Sequence, residues 1–151
     1  MSGMFEIKID PRGFIAIGKK LKQLGGPVAN RIVKRAANYA MTPIPMAAKR
    51  KVPVKHGLLK KSIGKKLKFY KQNGVATCIV GPRTGYGEMI NGKNHDPAMY
   101  GYVVEQGSKT APAQPFLRPA LYENKELILQ RYKENALLNI EKEAKKLAAK
   151  K

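Results

Sequence analysis

Few residues in this chain are spaced for chemistry. The stretch Gly87–Asn94, GEMINGKN, sets two glycines five positions apart and follows them with Lys93, the spacing with which a phosphate loop wraps a nucleotide. Its last position needs Ser or Thr for magnesium, and Asn94 stands there. A phosphate loop also joins a buried strand to a helix, whereas this stretch runs into His95-Asp96-Pro97, a poor helix interior. An ordinary loop is the expectation.

The remaining reactive side chains are sparse. His56 and His95 are the only histidines, and neither has the i, i+4 partner of a helical zinc site. Cys78 lies inside the apolar run VATCIV and reads as a small buried hydrophobe. The acids are scattered singly, apart from Glu141 and Glu143 on an expected helix surface, so no pair suggests general acid–base work. The expectation is a protein without catalysis, metal or cofactor.

Charge is the strongest compositional signal. Thirty Lys and Arg stand against ten Asp and Glu, for a formal net charge of +20 over 151 residues. Such an excess speaks to anionic partners rather than to fold. Ten basic residues and no acid fall within 49–71: Lys49, Arg50, Lys51, Lys55, Lys60, Lys61, Lys65, Lys66, Lys68 and Lys71. Lys dominates and no aromatic ladder is interleaved, which disfavours base reading and stacking on single strands. The segment reads either as a solvated face or as a sequence-blind contact with a polyanion. A lone cysteine excludes an internal disulfide and suits a reducing compartment. No apolar run is long enough to span a membrane, and the N-terminus lacks a secretory apolar region. Synthesis in a cytoplasm is expected.

The elements that must position these residues follow from periodicity. Phe5, Ile7 and Ile9 alternate with Glu6 and Lys8, predicting a short strand. Phe14, Ile17, Leu21 and Leu24 recur at helical spacing up to Gly25-Gly26. A second helix starts at Pro27 with the stripe Val28, Ile32, Ala36 and Ala40. Pro43 and Pro45 bend or end it, and MAAKRK can resume it. Leu67 and Phe69 alternate with lysines, Asn73-Gly74 signals a hairpin, and VATCIV forms the return strand. A long loop covers 81–98, and MYGYVVEQG reads as a strand or as a short helix with Tyr100, Val103 and Val104 on one face. A last helix starts at Pro119, with Leu121, Ile128, Tyr132, Ala136, Ile140 and Ala144 as its buried line and a basic tail from about 141. The predicted fold is one α+β domain over 1–151, a small antiparallel sheet packed against N-terminal helices and a long C-terminal helix.

Three stretches, in order, resemble a known family. Val52–Ile63, VPVKHGLLKKSI, resembles the Pro-Val-x-Thr-Gly-x-Leu-x-x-Ser-Ile signature of tail-completion proteins, the small head–tail joining or neck proteins of long-tailed phages. Tyr100–Ser108, YGYVVEQGS, resembles that family's Tyr-Ala-x-x-Val-Glu-x-Gly-Thr stretch, and Ala113–Leu121, AQPFLRPAL, its Gln-Pro-Phe-x-Arg-Pro-Ala segment. His56 replaces Thr, Gly101 replaces Ala, Ser108 replaces Thr, and the 85–97 loop is long for the family. The resemblance implies a structural virion protein, made in the host cytoplasm, that assembles as a ring at the head–tail junction. The ring is expected to be a hexamer, with a dodecamer as the alternative, between connector and tail-tube proteins and with double-stranded DNA in its lumen. A free, sequence-nonspecific nucleic-acid-binding protein and a tail-terminator or tube subunit remain open. Glu105, Ser108, Pro115, Phe116, Leu117, Arg118 and Pro119 are the candidate anchor or subunit-interface residues. Prolines at 112, 115 and 119 stiffen this segment, either to fold Phe116 back onto its own core or to present the 108–114 loop to a neighbour. Glu105, flanked by apolar residues, is expected to be partly buried against Arg118 or a neighbour's cation.

Overall fold

A computed structural model describes residues 15–150. The strand expected at Phe5–Ile9 lies outside them. The fold is α+β: N-terminal helices, a small antiparallel two-stranded sheet and a long C-terminal helix. The chain divides into two compact units, one holding Thr42–Lys66 and Ile79–Lys125, the other 15–41, Leu67–Cys78 and 126–150.

The second unit is helical and apolar at its centre. Helix α1 (Ile15–Leu24) ends at Gly25, whose φ of 93° lies in the left-handed region, and α2 (Gly26–Met41) follows at once and packs on it. Ile32, Ala36 and Ala40 of the expected stripe are buried. Ile17, Ile32 and Ala36 form one cluster with Ala136 and Ile140 of α7 (Lys125–Ala149), rimmed by Leu21, Leu24, Val28 and Tyr132. The buried line of α7 stops at Ile140. Ala144, expected to continue it, is exposed.

The first unit is built from shorter pieces. Pro43 opens α3 (Pro43–Lys51), where a missing N–H costs nothing, and Lys49, Arg50 and Lys51 fill its last turn, where cations suit the helix dipole. A five-residue helix, α4 (Leu58–Ser62), follows Gly57 at φ 78° and turns directly into strand β1 (Ile63–Tyr70). No hydrophobic period predicts a helix this short. Strand β1 pairs with β2 (Val75–Pro82) through the turn at Asn73-Gly74. MYGYVVEQG resolves as helix α5 (Pro97–Gln106): Asp96 caps it, its carboxylate accepting from Ala98 N–H at 3.1 Å, and Pro97 occupies the first turn.

The 81–98 segment is not an unstructured loop. Within it β3 (Glu88–Ile90) pairs antiparallel with β4 (Lys93–His95), in the register Glu88↔His95, Met89↔Asn94 and Ile90↔Lys93. Asn91 and Gly92 have φ of 50° and 76°, the doubly positive pair of a tight hairpin turn. The near-phosphate-loop glycine is therefore a hairpin glycine, and Lys93 opens a strand instead of a helix.

The expected single C-terminal helix is two. Helix α6 (Leu117–Glu123) packs on α3 and stops at Asn124, and α7 begins one residue later. The Asn124 amide donates to Ala120 O at 2.7 Å, competing with the main-chain ladder where the break occurs.

Candidate functional site

The three stretches that carry the family resemblance meet in the first unit. Phe116 is fully buried, and Ile44, Ala48, Leu58, Leu59, Ile63 and Ala120 of the same unit are buried as well. It enters the interior from the non-helical position before α6, held by Glu105 near the end of α5. The Glu105 carboxylate, only 7% exposed, accepts three main-chain hydrogen bonds: Oε2 from Phe116 N–H at 2.7 Å and Leu117 N–H at 2.9 Å, Oε1 from Arg118 N–H at 2.9 Å. A carboxylate at this point satisfies the otherwise unpaired donors of the first helical turn and meets the positive end of its dipole. The sequence indicated that Glu105 needed a partner; the bonds that hold it come from main-chain donors at 116–118, which no side-chain pattern announces.

The loop between Glu105 and Phe116 is fixed as well. Gly107 closes α5 with φ 79°, and its N–H donates to Val103 O at 2.7 Å. A methyl group there would come within 2.7 Å of the Ala113 nitrogen, so the position needs glycine for space and for backbone angle. Ser108 N–H donates to Ala111 O at 2.8 Å, while the Ser108 hydroxyl accepts from Ala111 N–H at 3.1 Å and Thr110 N–H at 3.3 Å. Gln114 N–H donates to Val104 O at 2.8 Å and ties the loop's far end back to the helix. Residues 108–115 are nonetheless exposed, Pro115 among them; Leu117 and Pro119 are half-buried, and Arg118 is exposed. A rigid exposed loop is thus set over a buried Phe anchor.

Beside the loop lies an open groove of about 460 Å³. The 53–59 turn forms one wall, with Leu58 and Leu59 buried at its base. Val103 and Val104 of α5, with Ala111, Pro112 and Gln114 of the loop, form the other. His56 and His95, far apart in sequence, meet here edge to face with ring centroids 5.6 Å apart. Tyr100 shares the groove; burial, and then the Asp96 charge, pushes its phenol upward, so it stays a neutral donor. Gly101 explains one departure from the family pattern. A Cβ there would meet Pro82 Cγ at 2.6 Å and Leu59 Cδ1 at 3.3 Å, so the glycine lets α5 close against β2 and α4.

The basic residues of 49–71 are spread over several elements. Lys49, Arg50 and Lys51 end α3, Lys55 lies in the turn, Lys60 and Lys61 ride α4, and Lys65, Lys66 and Lys68 belong to β1, with Lys71 in the hairpin turn. Two are engaged internally: Lys51 pairs with Glu123 at 2.8 Å, and Lys65 Nζ donates to Thr42 Oγ1 at 2.8 Å. Cys78 is half-buried on β2. Among the described residues, no three His, Cys, Asp or Glu are gathered to hold a metal ion, and no helix is long and apolar enough to cross a membrane.

Comparison with known proteins gives one match. The family model described as "Bacteriophage HK97-gp10, putative tail-component" matches residues 15–107, which takes in Val52–Ile63 and all but the last residue of Tyr100–Ser108 and stops short of the Phe116 segment. No curated protein and no solved structure matches the chain. A match over more than half of the chain, through the 53–59 turn and α5 and up to the Gly107 that closes α5, makes this chain a member of the HK97-gp10-like family of phage tail components.

Proposed function

We propose that the chain is a non-enzymatic neck protein whose copies assemble as a ring at the head–tail junction, six by preference and twelve as the alternative, around the channel through which DNA passes. The observation that carries this reading is the clamped 108–114 loop: exposed, proline-stiffened and hydrogen-bonded to its own helix. A surface that is already ordered loses little conformational entropy on docking, which suits a permanent assembly contact. Glu105, Phe116, Leu117 and Pro119 hold that surface from behind, while Ser108, Pro115 and Arg118 lie on it. The exposed lysines of 49–71 supply a mobile positive lining that lets DNA slide, since Lys presents a hydrated point charge instead of a fixed fork.

Imaging of purified particles, with and without the chain, tests the assignment. The expected result is a ring of density between connector and tail tube that vanishes with the protein and leaves heads without joined tails. Density in the tube itself would favour a tube or terminator subunit. The charge of +20 favours DNA as one contact in either case. Replacing Lys60, Lys61 and Lys66 with Ser should flatten the salt dependence of duplex DNA binding by about two to three charges' worth of slope. An unchanged slope would move that contact to the lysines of α7.

A further inference from the structure

The groove beside the clamped loop has a chemistry that the ring reading does not use. Its base and walls are apolar: Leu58 and Leu59 below, Val54 and Val103 at the sides, with Val54 63% and Val103 41% exposed. Its polar side chains are Lys55, which brings a fixed positive charge, and His56, His95, the Tyr100 hydroxyl and, at one edge, the Gln114 amide, each able to donate to an anion. No Asp or Glu lines it. Of the two acids closest in sequence, Glu105 is committed to the N–H groups of 116–118, and Asp96 caps α5 through the Ala98 N–H, its charge reaching the groove only at Tyr100. A groove of this size suits a small ligand or a few peptide residues.

We infer that this groove docks an acidic, apolar-tipped peptide segment of another virion protein, seating a Leu- or Phe-type side chain against Leu58 and Val103 while flanking carboxylates meet Lys55, His56 and His95. Charge selects that occupant. A second copy is a poor source, because the chain carries ten acids against thirty Lys and Arg. Several of those acids already have partners: Glu123 meets Lys51, Glu134 accepts from Gln130, and Glu143 meets Arg31 and Lys146. Duplex DNA offers the negative charge but no side chain to fill an apolar base. An acidic segment bearing one large hydrophobe answers both halves of the lining, and complementary charge sets its orientation. The inference rests on the functional reading above, in which the chain works among other particle proteins.

The test uses the full-length protein and three fluorescein-labelled peptides, EELFEE, QQLFQQ and EESSEE, with binding read by anisotropy and the site by amide chemical-shift mapping. EELFEE should bind about tenfold tighter than either control, since each control lacks one half of the match. Its shifts should fall in 53–59 and 100–104. Val103→Glu and Lys55→Glu, both at exposed positions, should each weaken EELFEE about tenfold with the melting temperature unchanged. Equal binding of EESSEE, or shifts confined to the α7 lysines, would show that only bulk charge is at work and overturn the inference. So would a DNA duplex that shifts the groove amides where EELFEE does not, or a change in self-association on Val103→Glu without peptide binding. Presence of the chain in purified particles is scored separately. A chain found there whose groove ignores EELFEE loses this inference and keeps its function. A chain absent from particles loses the functional reading, and with it the assignment of the partner to the virion, even where the peptide binds.

Discussion

The two compact units are held together by different means. In the unit of α1, α2 and α7, the centre is two alanines and three isoleucines, with small residues letting helices approach and polar contacts kept outside. Arg131 of α7, for example, donates twice to Tyr39 O, at 3.0 and 3.1 Å, while stacking over the Tyr39 ring at 3.8 Å. In the other unit, two polar side chains are buried and directed at main chain: Glu105 holds three N–H groups, and the Ser62 hydroxyl donates to Leu59 O at 2.7 Å. The exposed Arg83 reaches in to the same segment, its Nε donating to Ser62 O at 3.0 Å. Apolar packing is tolerant of exchange so long as volume is kept. Directed hydrogen bonds to buried main chain are not, and they fix loops in one geometry. The unit that carries the family's stretches is the one built for exactness of shape; the other is built as a scaffold.

That contrast can be broken most directly at Phe116. Phe116→Ala removes the largest fully buried side chain and should lower stability by about 3–5 kcal/mol, measured by urea unfolding. An unmoved midpoint would place Phe116 outside the core. Next comes Glu105→Gln, which keeps shape but removes the charge from three hydrogen bonds and sets an NH2 against one of the donors. A loss of about 2–3 kcal/mol is expected, with amide exchange rising first at 116–118. A loss below 0.5 kcal/mol, on the order of a surface substitution, would mean the clamp is ornamental. In the scaffold unit, Ala136→Leu overpacks the site where α7 meets Ile32 and Ala36 and should cost about 1–3 kcal/mol. Ala136→Ser should cost less than Glu105→Gln if the comparison holds. The smallest effect is alkaline. Burial pushes the Tyr132 phenol above its ordinary 10.0, so its neutral form is the one the fold favours. That contribution is complete below pH 10 and is lost as pH rises through the folded value. Tyr132→Phe should flatten the stability profile there, by thermal melts across the alkaline limb.

What the sequence disclosed follows the same line. The scaffold helices were legible because their burial is periodic: the Val28, Ile32, Ala36, Ala40 stripe names the face that packs. Ala144 misled because period alone cannot show where the packing surface stops, and here it stops at Ile140. The Asn73-Gly74 hairpin is legible from its turn chemistry, and the identical dipeptide Asn91-Gly92 makes the same kind of turn between β3 and β4 inside a glycine–lysine spacing that resembles a phosphate loop. Helix α4 is too short for a period, and no Gly or Pro marks the end of α6 at Asn124. At the candidate site, Glu105 announced itself by its apolar neighbours. Its partners, and the meeting of His56 with His95, are products of tertiary closure between segments with no common pattern.

The Glu105 clamp also sets a timetable. It joins positions only eleven to thirteen apart, a closure that a nascent chain makes on the timescale of short-loop contact, about 10–100 ns. The unit containing it is complete in sequence at Lys125, while its neighbour needs 126–150. The loop that Glu105 frames can therefore close early, from contacts within its own unit, before segments distant in sequence come together.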